Sequence, residues 1–225
     1  MENYDVAVVR CKTYNVEAVK PALEEALNAV NGLDFVMPGM KIIIKPNLVS
    51  FKKPDAAATT HPALLEALVE MLLARGADVT IGDSPGGPHS LPLLNRVYAA
   101  TGMDRLEKLG AKLNRNMNEK TVDFPEGKVL KNFTYTEYLD EADAIIDFCK
   151  LKSHGMLGMS AAVKNLFGTI PGLKKPEVHY KFQNDAEFAD MLVDINEYFK
   201  PRLAICDAVV GMEGNGPTAG APRQI

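Results

Sequence analysis

The side chains best suited to chemistry gather in Lys150-Leu151-Lys152-Ser153-His154-Gly155-Met156-Leu157-Gly158-Met159-Ser160-Ala161-Ala162-Val163-Lys164-Asn165-Leu166-Phe167-Gly168. A strand that runs on to His154 puts Lys150, Lys152 and His154 on one face by its period of two. A helix from about Met159 to Phe167 puts Ser160 and Lys164 on one face at i,i+4. Gly155 and Gly158 free the turn between them, and the N-terminus of the helix aims its unpaired N–H groups and positive dipole end at the same spot. Several cations packed together repel unless an anion neutralises them, so the segment predicts a site for a carboxylate or a phosphate. A set of merely solvated lysines is the alternative reading.

Other strand exits add polar groups. Lys45-Pro46-Asn47 follows an apolar run; it places a cation and an amide near a strand end, or is an ordinary exit with a solvated lysine. Gly82-Asp83-Ser84-Pro85-Gly86-Gly87-Pro88 matches neither the Walker pattern nor G-x-G-x-x-G, yet its glycines would let backbone N–H groups approach an anion. Asp83 stands where a general base or metal ligand would sit, and a plain tight connection explains the loop about as well. Asp207 and Glu213, in the glycine-rich tail, form with Asp83 a candidate set for a divalent cation. His179 lies in a basic stretch, Gly172 to Lys181, that reads as a mobile lid or as an exposed loop; His61 and His89 read as cap or loop residues.

These positions require a scaffold of alternating strands and helices. Asp5–Arg10, Lys41–Lys45, Asp78–Gly82, Ala144–Lys150 and Arg202–Cys206 are apolar strand-like runs. Helical spacing marks 16–30, a stretch from Pro62 to Arg75-Gly76 capped by Thr60, and Ala186–Phe199. The alternation predicts an α/β fold: a mainly parallel sheet with flanking helices, built from repeated βαβ units. Between about 91 and 140 the pattern blurs into helices near Leu91–Ala100 and Met103–Leu109 and short β pieces near Thr121–Phe124 and Val129–Phe133, which reads as a small α+β insertion within one domain, 1–225. The loop-like end, with no closing helix or strand, predicts a fragment of a longer chain.

With 225 residues, 47% of them hydrophobic, the chain can bury one substantial core. A net charge of −4 with scattered lysines gives no basic stripe, so nucleic acid is not an expected partner. No apolar run approaches the roughly 18 residues of a membrane span, and an acidic N-terminus does not read as a secretory signal, so the expected location is cytoplasmic and no membrane partner is expected. Cys11, Cys149 and Cys206 lie far apart without a C-x-x-C pair, so the chain carries no recognisable zinc or iron–sulfur motif of its own; each reads as a small apolar residue in or near the core.

Taken in order, Lys45-Pro46-Asn47, Gly82-Asp83-Ser84-Pro85-Gly86, Lys150-Leu151-Lys152-Ser153-His154, Ala162-Val163-Lys164-Asn165-Leu166-Phe167-Gly168 and Gly211-Met212-Glu213-Gly214-Asn215-Gly216-Pro217 resemble the family called domain of unknown function 362 over nearly the whole chain. The resemblance implies a link to iron–sulfur chemistry, since many members continue into a ferredoxin-like module, and a distant similarity to the N-terminal part of nickel-dependent lactate racemase. It carries over Lys152, His154 and Lys164 as ligand-contacting positions. An iron–sulfur cluster is then expected only with a downstream cysteine-rich module.

The residues together predict a small anionic ligand held by Lys45, Asn47, Ser84, Gly86, Lys150, Lys152, Ser160, Lys164 and Asn165, with His154 or Asp83 moving a proton if the protein is an isomerase, lyase or oxidoreductase. Two alternatives stand beside this: a non-catalytic domain that presents a ligand or metal to a redox module encoded downstream, and an interaction scaffold.

Overall fold

The computed structural model describes residues 5–225. Helix α1 (Val16–Ala29) precedes β1 (Lys41–Pro46), α2 (Pro62–Ala74), β2 (Asp78–Ile81), α3 (Leu91–Thr101), α4 (Asp104–Glu107) and β3 (Lys112–Leu113). Then come β4 (Glu119–Asp123), β5 (Asn132–Thr136), β6 (Ala144–His154), β7 (Gly158–Ser160), α5 (Ala162–Asn165), α6 (Lys174–Lys181), α7 (Asp185–Phe199), β8 (Leu203–Glu213) and β9 (Ala221–Gln224).

The main sheet has the order β3-β2-β1-β6-β8-β9, with β7 turned back on β6. The neighbours β3, β2, β1, β6 and β8 pair in parallel, while β7 and β9 are antiparallel. The isoleucine run of β1 is explained by its place: Ile42 and Ile44 face one core with α1, α2 and α3, and Ile43 faces a second with α7. A central strand buried on both faces needs continuous apolar residues rather than alternation. The fold is thus an α/β fold with a mainly parallel sheet between helices.

Strands β4 and β5 form their own two-stranded sheet. It packs into the second core through Phe133 and Tyr135. The loop joining its strands is anchored by Asp194 of α7, whose carboxylate accepts the N–H groups of Lys128, Val129 and Leu130, each at 2.7 Å. Strand β3 belongs to the main sheet, and α3 contributes Leu94, Val97 and Tyr98 to the first core.

Several expectations are corrected. Asp5–Arg10 forms no strand: among the described residues no strand pairs with it, and Val6 and Val8 are 75% and 94% exposed. The cap of α2 is His61, whose Nδ1 accepts the Ala63 N–H; Thr60 instead accepts the Asn47 N–H and donates to the Phe148 carbonyl, tying β1 to β6. The helix expected from Met159 to Phe167 is a β-hairpin followed by the single turn α5, because Gly158, at φ +72°, turns the chain back on β6. The stretch around His179 is helix α6 rather than a loop. The glycine-rich tail extends β8 to Glu213 and ends in β9, which pairs with it through Glu213↔Ala221 and Val210↔Gln224.

Candidate functional site

From β1 the sheet grows one way to β2 and β3 and the other way to β6 and β8, so the strand order reverses between β1 and β6. In open parallel sheets a crevice opens at such a reversal, outside the carboxyl ends of the strands. Lys45 and Asn47 leave β1 there, Asp83 and Ser84 follow β2, and Lys152 and His154 end β6.

The structure brings most of the expected residues together at this point. Lys45 is fully buried and ion-paired with buried Asp83 at 2.7 Å. Asp83 is saturated further by the N–H groups of Leu48 at 2.7 Å and Ser84 at 2.9 Å. Lys152, only 2% exposed, donates to Asn47 Oδ1 at 2.9 Å and to the Ala58 carbonyl at 2.7 Å. Asn47 donates in turn to Asn165 Oδ1 at 2.9 Å, and Asn165 donates to the Lys45 carbonyl and to Asp147 Oδ1. Ser160 is buried directly opposite Lys152 in the β6–β7 hairpin. Lys175, from α6, donates to the carbonyls of Ser84 at 2.7 Å and Ile170 at 2.6 Å. Lys164 is partly exposed and lies 5.6 Å from the centre of the Phe167 ring.

Crowding of cations away from water tunes their amines. Burial, with repulsion from Lys164, Lys45 and Lys150, lowers Lys152 to about 7 despite the opposing pull of Asp83. Burial also lowers Lys175 to about 7, and burial with repulsion from Lys45 lowers Lys164 to about 8. His154 is lowered to about 4 by burial and by Lys164, His179 and Lys152, so its ring is neutral near pH 7. Its Nδ1 accepts the N–H groups of Met156 and Leu157 at 3.3 and 3.2 Å. The proton of the neutral ring is therefore on Nε2, which becomes a donor. His179 stacks on Phe188 with ring centres 4.6 Å apart and meets Phe167 edge-on. That aromatic anchor, with Lys175, pins α6 over the site.

Sequence reasoning missed Asp147. It faces Lys45 across the β1–β6 pairing, is fully buried, and has an Oδ2 without a hydrogen-bond partner among the described residues. Burial raises it to about 7 against the opposing effects of Lys45 and Asn165. A charged residue inside an otherwise apolar strand run was the available signal. Lys175 was hidden because its stretch reads as a basic loop.

Other expected residues lie elsewhere. Lys150 crosses to the opposite face of the sheet, since the β6–β8 register shifts between Lys150 and Lys152. There it pairs with Asp207 at 2.8 Å and donates to Tyr14, while Tyr14 and the His61 N–H also donate to Asp207. Tyr14 and His61 stack with centres 3.6 Å apart, and burial lowers His61 to about 4. Glu213 pairs with Arg223, at 3.4 Å on the exposed edge. Asp83, Asp207 and Glu213 thus occupy three separate networks, and among the described residues no group of three His, Cys or acidic side chains is placed to hold a metal ion. The loop after β2 spends its N–H groups internally: Ser84 donates to the Gly168 carbonyl and Gly86 to the Val49 carbonyl, so it is no open anion cradle. Cys149 is buried; Cys206, directly opposite it, is exposed at the edge rather than in the core. Two roomy cavities lie away from the lysine cluster: one of about 1280 Å³ lined in part by Cys206 and Asp207, and one of about 610 Å³ lined in part by Tyr14 and His61. The lysine cluster stands out by its chemistry, not by its volume.

Comparison with known proteins gives three similarities. The family model described as Domain of unknown function (DUF362) matches residues 42–225. A protein of Synechocystis sp. named as a thylakoid-associated protein is 31% identical over 229 residues, covering 98% of this chain and 68% of that protein. The structure of the lactate racemase apoprotein from Thermoanaerobacterium thermosaccharolyticum superposes with a TM-score of 0.51 at 17% identity, over 86% of this chain and 48% of that one. This chain spans about half the length of that racemase, and the likeness is one of fold. Among the described residues no helix is long and apolar enough to cross a membrane.

Proposed function

The chain belongs to the DUF362 family, and on that premise we propose that it is an enzyme that binds a small anionic metabolite at the carboxyl ends of β1, β2 and β6 and moves a proton on it. The observation that carries this reading is the convergence of Lys45, Lys152, Lys164 and Lys175 on the strand-order reversal, where Asp83 is the partner of one of them. Such a cluster is costly without a counter-ion and is relieved by an anion with two or more charges or charge centres.

Within that site the residues divide their work. Lys45, clamped by Asp83, supplies a fixed positive field. Lys164 and the Nε2–H of His154, both partly exposed, meet the ligand first. Lys152, with an amine near 7, is the group able to hold or release a proton at neutral pH. Neutral Lys152 takes a proton from the carbon beside a carboxylate, and the electron pair left behind spreads onto the carboxylate held by Lys164. Isomerisations and eliminations of small carboxylates begin with that step. The neighbouring fold of a lactate racemase makes hydroxy-carboxylates a class to include. We place the work in the cytoplasm, where Cys149 and Cys206 stay reduced.

The test is thermal melting of the wild type and of Lys152→Met against lactate, citrate, phosphate, pyrophosphate and ADP. A ligand at a hundred times its dissociation constant adds about 2.7 kcal/mol, a rise of roughly 5 to 10 °C in a domain of this size. The expected outcome is a shift in the wild type that is lost in Lys152→Met. No shift with any of the anions, or equal shifts in both proteins, contradicts the reading.

A further inference from the structure

Cys149 of β6 and Cys206 of β8 are direct partners in the parallel pairing of the two strands. Register partners in neighbouring strands project to the same face of a sheet, so the two side chains stand side by side. Neighbouring strands lie about 4.7–4.9 Å apart, inside the roughly 4.4–6.8 Å that separates the Cα atoms of bridged cysteines. The two thiols are close enough to share a hydrogen bond. Bridged Cβ atoms stand about 3.5–4.5 Å apart, so a bridge draws the strands slightly together. The ladder leaves room for that adjustment, because the β6–β8 register breaks just beyond the pair, between Lys150 and Lys152. The remaining cysteine, Cys11, is half-buried in the N-terminal run, where its thiol donates to the Thr13 carbonyl.

The paired thiols differ in access and in charge. Cys149 is buried and Cys206 exposed, so a reagent from solvent meets Cys206 first. The hydrogen bond from the Cys149 thiol lowers Cys206, and Lys150 adds to that effect against burial and Asp207. The same hydrogen bond, followed by burial, raises Cys149. Cys206 is therefore the readier thiolate, and the thiolate is the nucleophile in exchange with disulfides.

We propose that Cys206 is a modification site for low-molecular-weight disulfides of the glutathione class, and that Cys149 resolves the adduct into a Cys149–Cys206 bridge. In the first step the Cys206 Sγ attacks one sulfur of the disulfide RSSR. The S–S bond breaks, a Cys206–S–SR bond forms, and RS⁻ leaves and takes up a proton in place of the one Cys206 released. With Cys206 no longer charged, the hydrogen bond and repulsion that kept the proton on Cys149 are gone. The Cys149 Sγ then attacks the Cys206 Sγ, and the second RS⁻ leaves with the Cys149 proton. One RSSR is reduced to two RSH, and two thiols are oxidised to one disulfide. In a reducing compartment the dithiol is the resting form, and a rise in the disulfide pool drives the exchange. None of the lysines of the anion site takes part.

The experiment treats the 225-residue chain with oxidised glutathione at pH 8, blocks the remaining thiols with N-ethylmaleimide and maps the products by mass spectrometry without reduction. The wild type should yield a linked Cys149–Cys206 peptide with no glutathione retained on either cysteine, and dithiothreitol should reverse it. Cys149→Ser should stop at one glutathione on Cys206, and Cys206→Ser should leave Cys149 unmodified. Should the serine variants fail to fold, the linked peptide of the wild type decides alone. A wild type that keeps glutathione on Cys206 without a bridge, or forms the bridge only in urea, overturns the proposal. A bridge to Cys11 in place of Cys149, or no reaction at Cys206, overturns it too.

Discussion

Asp147 titrates in the wrong range for an aspartate, and the cause is local: a fully buried carboxyl with one oxygen unpartnered and one lysine, Lys45, held by Asp83 instead. Its folded value of about 7 lies above the ordinary 3.8, so between those limits the folded protein keeps a proton the unfolded chain has lost. Stability from this group is therefore greatest below about pH 4 and declines as pH rises to 7, by up to about 4 kcal/mol. Asp147→Asn, which keeps an Oδ1 for Asn165, should gain over the wild type by an amount that grows from about 1 kcal/mol at pH 4.5 to about 4 kcal/mol at pH 7.5 in urea unfolding. A difference that stays flat with pH contradicts the burial argument. The lysines carry the opposite sign. Lys152 in the folded state, near 7, releases its proton while the unfolded chain holds one up to about 10.5, so the protein gains stability as pH rises through that window. Lys152→Met should therefore stabilise the unliganded protein more at pH 6 than at pH 10. Lys45 and Lys152 were legible from their place at strand ends; Asp147 was not, because a polar residue inside an apolar run gives no hint of what faces it across the sheet.

At the level of elements, the positions of the site residues depend on close approaches that only the fold supplies. Gly168 follows α5 and packs directly on the Lys45–Asp83 pair; a Cβ there meets Asp83 Oδ1 and, at 2.6 Å, Lys45 Nζ. Neither atom can retreat from a buried ion pair without breaking it, so Gly168→Ala should destabilise by about 1–3 kcal/mol and weaken anion binding along with stability. Urea unfolding and ligand melting shifts on the same variant check both. The strands Lys41–Lys45, Asp78–Gly82 and Ala144–Lys150 were legible to within a few residues because continuous apolar runs bounded by turns have few other uses. The hairpin at Gly155–Gly158 was not. Met159 to Phe167 has helical composition, and the pairing of β7 on β6, a tertiary choice, overrides it. The basic stretch Lys174–Lys181 failed for a similar reason: its helix is held by Lys175 donating to the Ser84 carbonyl, far away in sequence, and by His179 stacked on Phe188 in the next helix.

For the molecule as a whole, a net charge of −4 conceals a strongly positive interior point. Composition excluded a basic surface but could not reveal four lysines drawn together by a sheet whose order reverses between β1 and β6. That order was invisible in the sequence, since which strands become neighbours depends on how the crossovers pack. The reversal makes the site. It brings the exits of β1, β2 and β6 within reach of one ligand, while the register shift between β6 and β8 leaves Lys150 and Asp207 on the other face, where they hold Tyr14. A ligand carboxylate held by Lys164 and Lys175 must raise amines that now stand at about 8 and 7, so binding has to take up protons, while Lys152 stays neutral as the base. Titration calorimetry of the anion that gives the largest melting shift, at pH 8 in phosphate-free buffers of different ionisation heat, measures that uptake directly. The account predicts uptake of about one proton per anion bound, reduced in Lys164→Met. Binding with no proton uptake would mean that the anion sits away from these lysines, and would contradict the site.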